Sequence, residues 1–300
     1  MTKQSKHPLE LWKSQEVTNL LIEFYELNFQ KAGLPKHLAS EFILTVWDNR
    51  NTDKINSLRR KCDGILLVMK RGIINRSTEP NPMDFFDLSK INSFLDIGAN
   101  KLTTINYYAK KHANIKKFIG VDITPQKKPF FDSSRSIYYT INPDNIILPI
   151  KPQSIDFINI KFVFHHFKDL ESITNTLNIC SNLIKPGGAL LLWEESFKKN
   201  FNDETYKTNN ALGIQTNKNL TTKLHTLSTA KRWEFIIVND WLINISNNHM
   251  PWTRQYYTWE EWVKLLHSYN FSLQKEYNFG LRVNALIKQG VHMIGLFKKL

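Results

Sequence analysis

Cysteine is almost missing from this chain: Cys62 and Cys180 are the two present, and neither has a second Cys or a His at metal-ligand spacing. A disulfide framework is thereby excluded and no zinc site is indicated, so both thiols are expected to be packed and no metal ligand set is predicted. Long apolar runs are lacking as well. No uninterrupted stretch approaches the roughly eighteen residues of a membrane helix, and Met1–Lys13 is too polar for a signal peptide. A cytoplasmic protein with no membrane span is the expectation. The chain also has no basic tail, no internal repeat and no low-complexity segment. Its net charge of +13 is spread over short pairs such as Lys110-Lys111, Lys116-Lys117, Lys127-Lys128 and Lys298-Lys299, interleaved with acids. Such a spread is equally that of a solvated surface. It becomes a nucleic-acid footprint only if folding gathers the cations on one face.

What is present divides into two patterns. From Leu9 to Met69 apolar residues recur at helical spacing, as in Leu20, Leu21, Phe24, Tyr25 and again Phe42, Ile43, Val46, Trp47. This predicts a helical N-terminal region, residues 1–85, bounded by the Pro- and Asn-bearing stretch 75–82. The rest, 86–300, begins with short apolar runs at Ser93–Ile97, Lys117–Asp122, Ile155–Ile160 and Ala189–Trp193. Helical segments are expected between them at Thr103–His112 and Leu170–Leu183, which signals an α/β domain with a mostly parallel sheet covered on both faces. Lys185-Pro-Gly-Gly188 reads as a breaker that ends a helix before the strand at Ala189. An insertion, 197–257, comes after that fifth strand; a segment so long has structure or a task of its own. A helix at Thr258–Tyr269, with Thr258 as its cap, and strands near Phe271–Tyr277 and Val291–Lys298 close the chain, the two strands as a hairpin.

The chemistry-bearing residues sit at the ends of the apolar runs. Phe94-Leu-Asp-Ile-Gly-Ala-Asn100 places a carboxylate and a glycine where a strand gives way to a helix. Gly98 lets the backbone approach a ligand, the amides at the helix start attract an anion, and Asp96 can accept from an ammonium. An Asp-x-Gly turn also occurs in loops that bind nothing, so the second acid matters. Asp122 ends the next strand, one βα unit later, where a carboxylate can chelate the two hydroxyls of a ribose. Asp144 precedes Leu148-Pro149, in a loop that can reach an adenine amino group. The run at Ile155–Ile160 continues through Asp156 into Lys161-Phe162-Val163-Phe164-His165-His166.

In this order and spacing the segment from Ser93 to Leu300 resembles the class I S-adenosylmethionine-dependent methyltransferases. Asp96-Ile-Gly98 matches that family's glycine-rich first motif, Asp122 its acid after the second strand, and Asp144 its adenine-loop acid. Asp156 through His166, and Leu183 through Gly188, match its fourth and fifth motifs. The resemblance implies a Rossmann-like seven-stranded, mostly parallel sheet with an antiparallel last strand. It also implies S-adenosyl-L-methionine as cofactor, held by Asp96, Gly98, Asn100, Asp122, Ile123, Asp144, Asn145, Lys161 and Phe162. The family usually has glycines where this chain has Asn100 and Leu102, and a small residue at Lys161. These departures keep open a catalytically inactive, methyltransferase-like binding module.

Catalysis in such a fold is mainly alignment of a nucleophile with the methyl carbon, aided by a base where the acceptor is a hydroxyl. His166, and after it His165, are the candidate bases, although histidines at this turn can simply pack. Glu194, Trp252, Arg254 and Tyr257 are the candidate acceptor contacts, with surface, capping and core roles as their plain alternatives. The Asn/Asp-Pro-Pro-aromatic signature of exocyclic-base enzymes, the Cys of pyrimidine-C5 enzymes and the double-Glu loop of arginine-methylating enzymes are all lacking. A small-molecule acceptor, methylated on O or C, is therefore expected, with RNA or tRNA as the alternative acceptor. In that group the helical N-terminus, as lid, substrate or dimer surface, and the insertion build the acceptor side.

Overall fold

The computed structural model describes residues 8–50, 55–76, 80–126, 128–143, 146–199, 203–214, 216–244, 255–283 and 290–300. The chain forms two compact units. One comprises 1–84, 197–254 and 278–292; the other comprises 85–196, 255–277 and 293–300.

The second unit is built on a sheet of seven strands: β1 (Ser93–Ile97), β2 (Lys117–Asp122), β3 (Ser136–Thr140), β4 (Ile155–Lys161), β5 (Ile184–Glu195), β6 (Phe271–Arg282) and β7 (Gly290–Lys299). Their spatial order is β3-β2-β1-β4-β5-β7-β6, with the closing strands antiparallel. β1 pairs in parallel with β2 and β4, β2 with β3, and β4 with β5. All five residues of β1 are buried, the signature of a central strand covered on both faces, where hydrophobic continuity replaces alternation. Helices α4 (Thr103–Lys111), α5 (Leu170–Leu183) and α9 (Trp259–His267) complete the unit. Asp169 caps α5 by accepting from the Ser172 amide at 2.8 Å. Thr258 and Glu261 form a capping box at α9, so each start satisfies amides that no helical carbonyl can reach.

Asp156, at the opening of β4, is a rivet for the start of β1. Its Oδ2 accepts from the amides of Asn92 (3.0 Å) and Ser93 (2.9 Å), and Lys185 Nζ donates to Oδ1 at 2.6 Å. Burial raises its pKa, but these bonds outweigh it and hold the carboxyl below the usual range. The fifth strand corrects the sequence reading. β5 begins at Ile184, directly after α5, and Lys185-Pro-Gly-Gly188 lies inside it as an irregularity: Ile184 pairs with Ile155, and the register resumes with Ala189 opposite Phe157. Pro and Gly disrupt one ladder there without ending the strand, because the flanking apolar residues are already fixed in the core.

In the other unit, α1 (Gln15–Ala32), α2 (Lys36–Asn49) and α3 (Ile55–Arg76) keep company with α6 (Asp203–Ala211), α7 (Lys218–Thr226) and α8 (Thr229–Ile243) from the insertion. Phe24 of α1 meets Phe235 of α8 edge-on at 5.8 Å. Glu234 accepts from the amides of Lys13 and Ser14, and Lys70 Nζ donates to the Ile243 carbonyl. The insertion is thus helical and tied to the N-terminal helices. Its apolar island Trp233–Val238 is the packed face of α8. Asn209 and Thr216 donate to the carbonyls of Asn278 and Phe279, joining the same unit to the end of β6. Among the described residues no helix is long and apolar enough to cross a membrane.

Close packing of α9 on β7 depends on a missing side chain. A Cβ at Gly295 would lie 2.5 Å from Cζ2 of Trp259, a ring that is 1% exposed. Gly295→Ala is expected to destabilise the protein by about 1–3 kcal/mol, the scale of core overpacking, as a lowered urea midpoint; an unchanged midpoint would show that Trp259 can give way.

Candidate active site

The carboxyl ends of β1, β2 and β4 and the turns that leave them carry most of the sequence-predicted residues. Asp96 is 3% exposed and accepts from Asn159 Nδ2 at 2.7 Å, across the β1–β4 register that pairs these two residues. Burial pushes its carboxyl up to about 7, against the Asn159 bond and the Lys161 charge, which both lower it. Lys161, two residues along the same strand face, sets its ammonium 4.9 Å from the Trp193 ring centre. Burial pulls that ammonium down to about 8, with Asp96 acting in the opposite direction. A carboxyl and an amine so tuned exchange protons near neutrality, and a bound cation or anion would shift both.

The loop from β1 to α4 holds three residues at positive φ: Gly98 (77°), Asn100 (33°) and Leu102 (58°). Two of the three thus take the left-handed backbone region without being glycine. Asn tolerates this region, and Leu102 is completely buried, so its packing offsets a conformational cost of about 1–2 kcal/mol. Gly98 is a different matter. A methyl group there would lie 2.2 Å from Val163 Cγ2, so the space it leaves is filled by the β4 turn.

Asp122 closes the loop from the other side. Its Oδ2 accepts from the Asn100 amide at 2.9 Å, and its Oδ1 from the Thr124 amide and hydroxyl at 2.8 and 2.7 Å. A carboxylate offers about four lone-pair positions, and these bonds occupy most of them. Ile123, next in line, is 49% exposed, an apolar side chain at the rim beside a carboxylate. Two adjacent strand ends thus carry carboxylates beside an apolar rim side chain, next to a helix start that no side chain caps.

Beyond β4 the chain turns sharply. Phe162 has φ of 55°, its amide donates to the Trp193 carbonyl at 2.8 Å, and its ring lies 5.2 Å from that of Trp193. Glu194 holds the next three residues. One oxygen accepts from the amides of Val163 (2.9 Å) and Phe164 (2.8 Å), and the other lies 2.5 Å from His165 Nδ1. Both partners are about 1% exposed. Glu194 is thus a brace for the turn, with both oxygens bonded to it. His165, second of the two candidate bases in the sequence reading, is held by this pairing, with Tyr256 stacked 5.2 Å away. A carboxylate at Nδ1 keeps the proton there and makes Nε2 the basic nitrogen. His166 is partly exposed, its ring 4.0 Å from that of His165. Tyr257 packs edge-on against Trp262 and donates its hydroxyl to Gln255 Oε1 at 2.9 Å. Asp144, Asn145, Trp252 and Arg254 lie outside the described residues.

Asn159, Thr124 and Val163 were not singled out from sequence. Asn159 had a signal, a polar residue inside the apolar run Ile155–Ile160, whereas Thr124 and Val163 had none. A separate groove of about 420 Å³ runs beside α5, lined by Pro143, Ile146, Lys168, Ser172 and Asn175 among others. Its walls include none of Asp96, Asp122 or His165.

Because the Asp96 carboxyl titrates near 7 when folded and near 4 when unfolded, the native state holds its proton over that window. The stability this confers is complete below the unfolded value and is lost as pH rises through 7. Asp96→Asn keeps the oxygen facing Asn159 and cannot ionise, so its melting temperature should gain on that of the wild type from pH 4 to pH 7.5; parallel curves would refute the shift. Glu194→Ala strands two buried amides and a buried imidazole, and is expected to cost about 3–5 kcal/mol in urea unfolding. A loss under about 1 kcal/mol would mean that the turn holds without its brace.

Residues 95–192, roughly a third of the chain, match the family model described as a methyltransferase domain. No curated protein matches the sequence. Among solved structures, the chain is similar to an S-adenosylmethionine-dependent methyltransferase from Methanosarcina mazei (14% identity, 74% of this chain and 99% of that one, TM-score 0.44). It is also similar to one from Mesorhizobium loti (11%, 72% and 95%, 0.46) and to 1,6-didemethyltoxoflavin-N1-methyltransferase from Burkholderia thailandensis (13%, 87% and 87%, 0.43). These structural scores are too low to bear on function; the family match and the strand order are the findings that count. The chain carries a methyltransferase domain over residues 95–192.

Proposed function

We propose that this protein transfers a methyl group from S-adenosyl-L-methionine to a small-molecule acceptor, on oxygen or on carbon. The observation that carries this reading is the buried Glu194–His165 pair at the exit of β4. An imidazole fixed by a carboxylate, with its basic nitrogen set by that bond, is suited to take a proton from a hydroxyl or an acidic carbon. Its 1% exposure favours a small acceptor over a nucleic-acid duplex.

In this reading Asp122, with the lone pair its loop bonds leave over, accepts from a ribose hydroxyl, and the apolar Ile123 lies against the adenosyl group. Asp96 accepts from the ammonium of the methionyl end, which would stabilise its carboxylate form and lower its raised pKa. The amides of the first turn of α4, which no side chain caps, receive the methionyl carboxylate, with Lys161 and Phe162 bordering the same end. The cofactor, when bound, supplies the sulfonium that makes the methyl group transferable. His165 holds the acceptor proton at Nε2, and Glu194 supports the resulting imidazolium charge.

Calorimetric titration with S-adenosylhomocysteine tests the cofactor half. The wild type is expected to bind, and Asp122→Ala to bind more weakly by about 1–3 kcal/mol, the scale of a hydrogen bond to a charged group. No binding to the wild type at millimolar ligand would leave the inactive, methyltransferase-like module as the better description.

A further inference from the structure

Between Lys101 and Arg135 the sequence has eight Lys or Arg, two Asp and no Glu, and folding lays much of this segment along one flank of the second unit. The loop after β2 is fastened to α4 by two side chains. Asn106 donates to the Pro129 carbonyl at 3.2 Å and accepts from the Phe131 amide at 2.8 Å. Arg135 donates to the carbonyls of Ala109, His112 and Ile115, the end of α4 and the turn beyond it, a position where a cation also meets the negative end of the helix dipole. The two acids are occupied: Asp132 pairs with Arg135 at 2.6 Å, and Asp122 holds the β1–α4 loop.

What this arrangement displays is an aromatic ring among cations. Phe131 is 56% exposed, on a backbone that Asn106 fixes. Lys110 Nζ lies 5.1 Å from its ring centre, and one turn away Lys111 stands 4.7 Å from the ring of Tyr107 and bonds its hydroxyl at 2.6 Å. Lys101, Lys116, Lys117 and Lys128 are exposed on the same segment. An exposed ring flanked by ammonium groups offers a flat apolar face and neighbouring positive charge. A chain of nucleobases joined by phosphates offers the matching pair, since bases stack on aromatics and phosphates release counterions to lysines. An anionic lipid surface would match the charge but would leave a single rigid ring with little to insert into.

We infer that the flank formed by α4 and the loop after β2 is a docking surface for single-stranded nucleic acid, with Phe131 as a stacking platform and Lys110 and Lys111 as phosphate contacts. The surface is distinct from the carboxylates of the methyl-transfer site, and the inference holds whichever acceptor that site takes.

The test is fluorescence anisotropy of a labelled twelve-residue poly(U) RNA with the full chain, without cofactor, over a KCl series. Binding should weaken steeply with salt. Lys110→Glu with Lys111→Glu should weaken it at least tenfold and lower the log–log salt slope by about 1.4, two contacts at about 0.7 each. Lys31→Glu with Lys36→Glu, an equal charge change at exposed positions of the other unit, should leave it within twofold. Phe131→Ala should weaken poly(U) binding by about tenfold while leaving heparin, a polyanion without bases, unchanged. Equal losses in the two double variants would reduce the effect to net charge and overturn the inference. So would equal losses for poly(U) and heparin in Phe131→Ala, or binding confined to phosphatidylserine vesicles.

Discussion

Glu194 occupies a place with no solvent, and the local architecture is set by how its charge is accommodated. A buried carboxylate is costly unless each oxygen has donors. Here one oxygen takes two backbone amides of the β4 turn and the other faces an imidazole. The same bonds that make the carboxylate tolerable fix Val163, which fills the space above Gly98, and His165, whose tautomer they set. Brace, loop packing and candidate base are consequences of one ion's need for partners.

A second constraint acts at the ends of β1 and β2. Asp122 spends most of its hydrogen-bonding capacity on the chain itself, at Asn100 and Thr124. That tie lets the loop keep a glycine-like path with Asn100 and Leu102 in place of glycines: a carboxylate anchor on one side and a buried Leu side chain on the other outweigh the left-handed backbone cost. Asp122 thus shapes the loop whatever it does for a ligand. Asp96 contrasts with it, having Asn159 as its partner and a carboxyl lifted by burial.

Charge on this protein is organised by the same means. Lys110 and Lys111 of α4 stand beside Phe131 and Tyr107, with Asn106 and Arg135 binding the loop after β2 back onto the helix. Asp96, Asp122 and the lysines of α4 share β1, α4 and β2 as a common support, a stretch of about thirty residues.

The sequence by itself determined the strands and helices of the sheet unit apart from β3, since apolar runs bounded by turn residues leave few other ways to bury themselves, whereas no residue of β3 is buried. It also placed Asp96, Asp122 and the His165-His166 turn at strand ends, because strand–helix punctuation says where a chain reverses. It misplaced the start of β5: Pro and Gly promise a break, whereas tertiary packing of Ile184 keeps the strand going. It was silent on which histidine is held, on the brace formed by Glu194, and on Val163 filling the gap at Gly98. Those depend on residues some thirty to sixty positions apart meeting across β1, β4 and β5, a matter of strand order and register that no local pattern encodes.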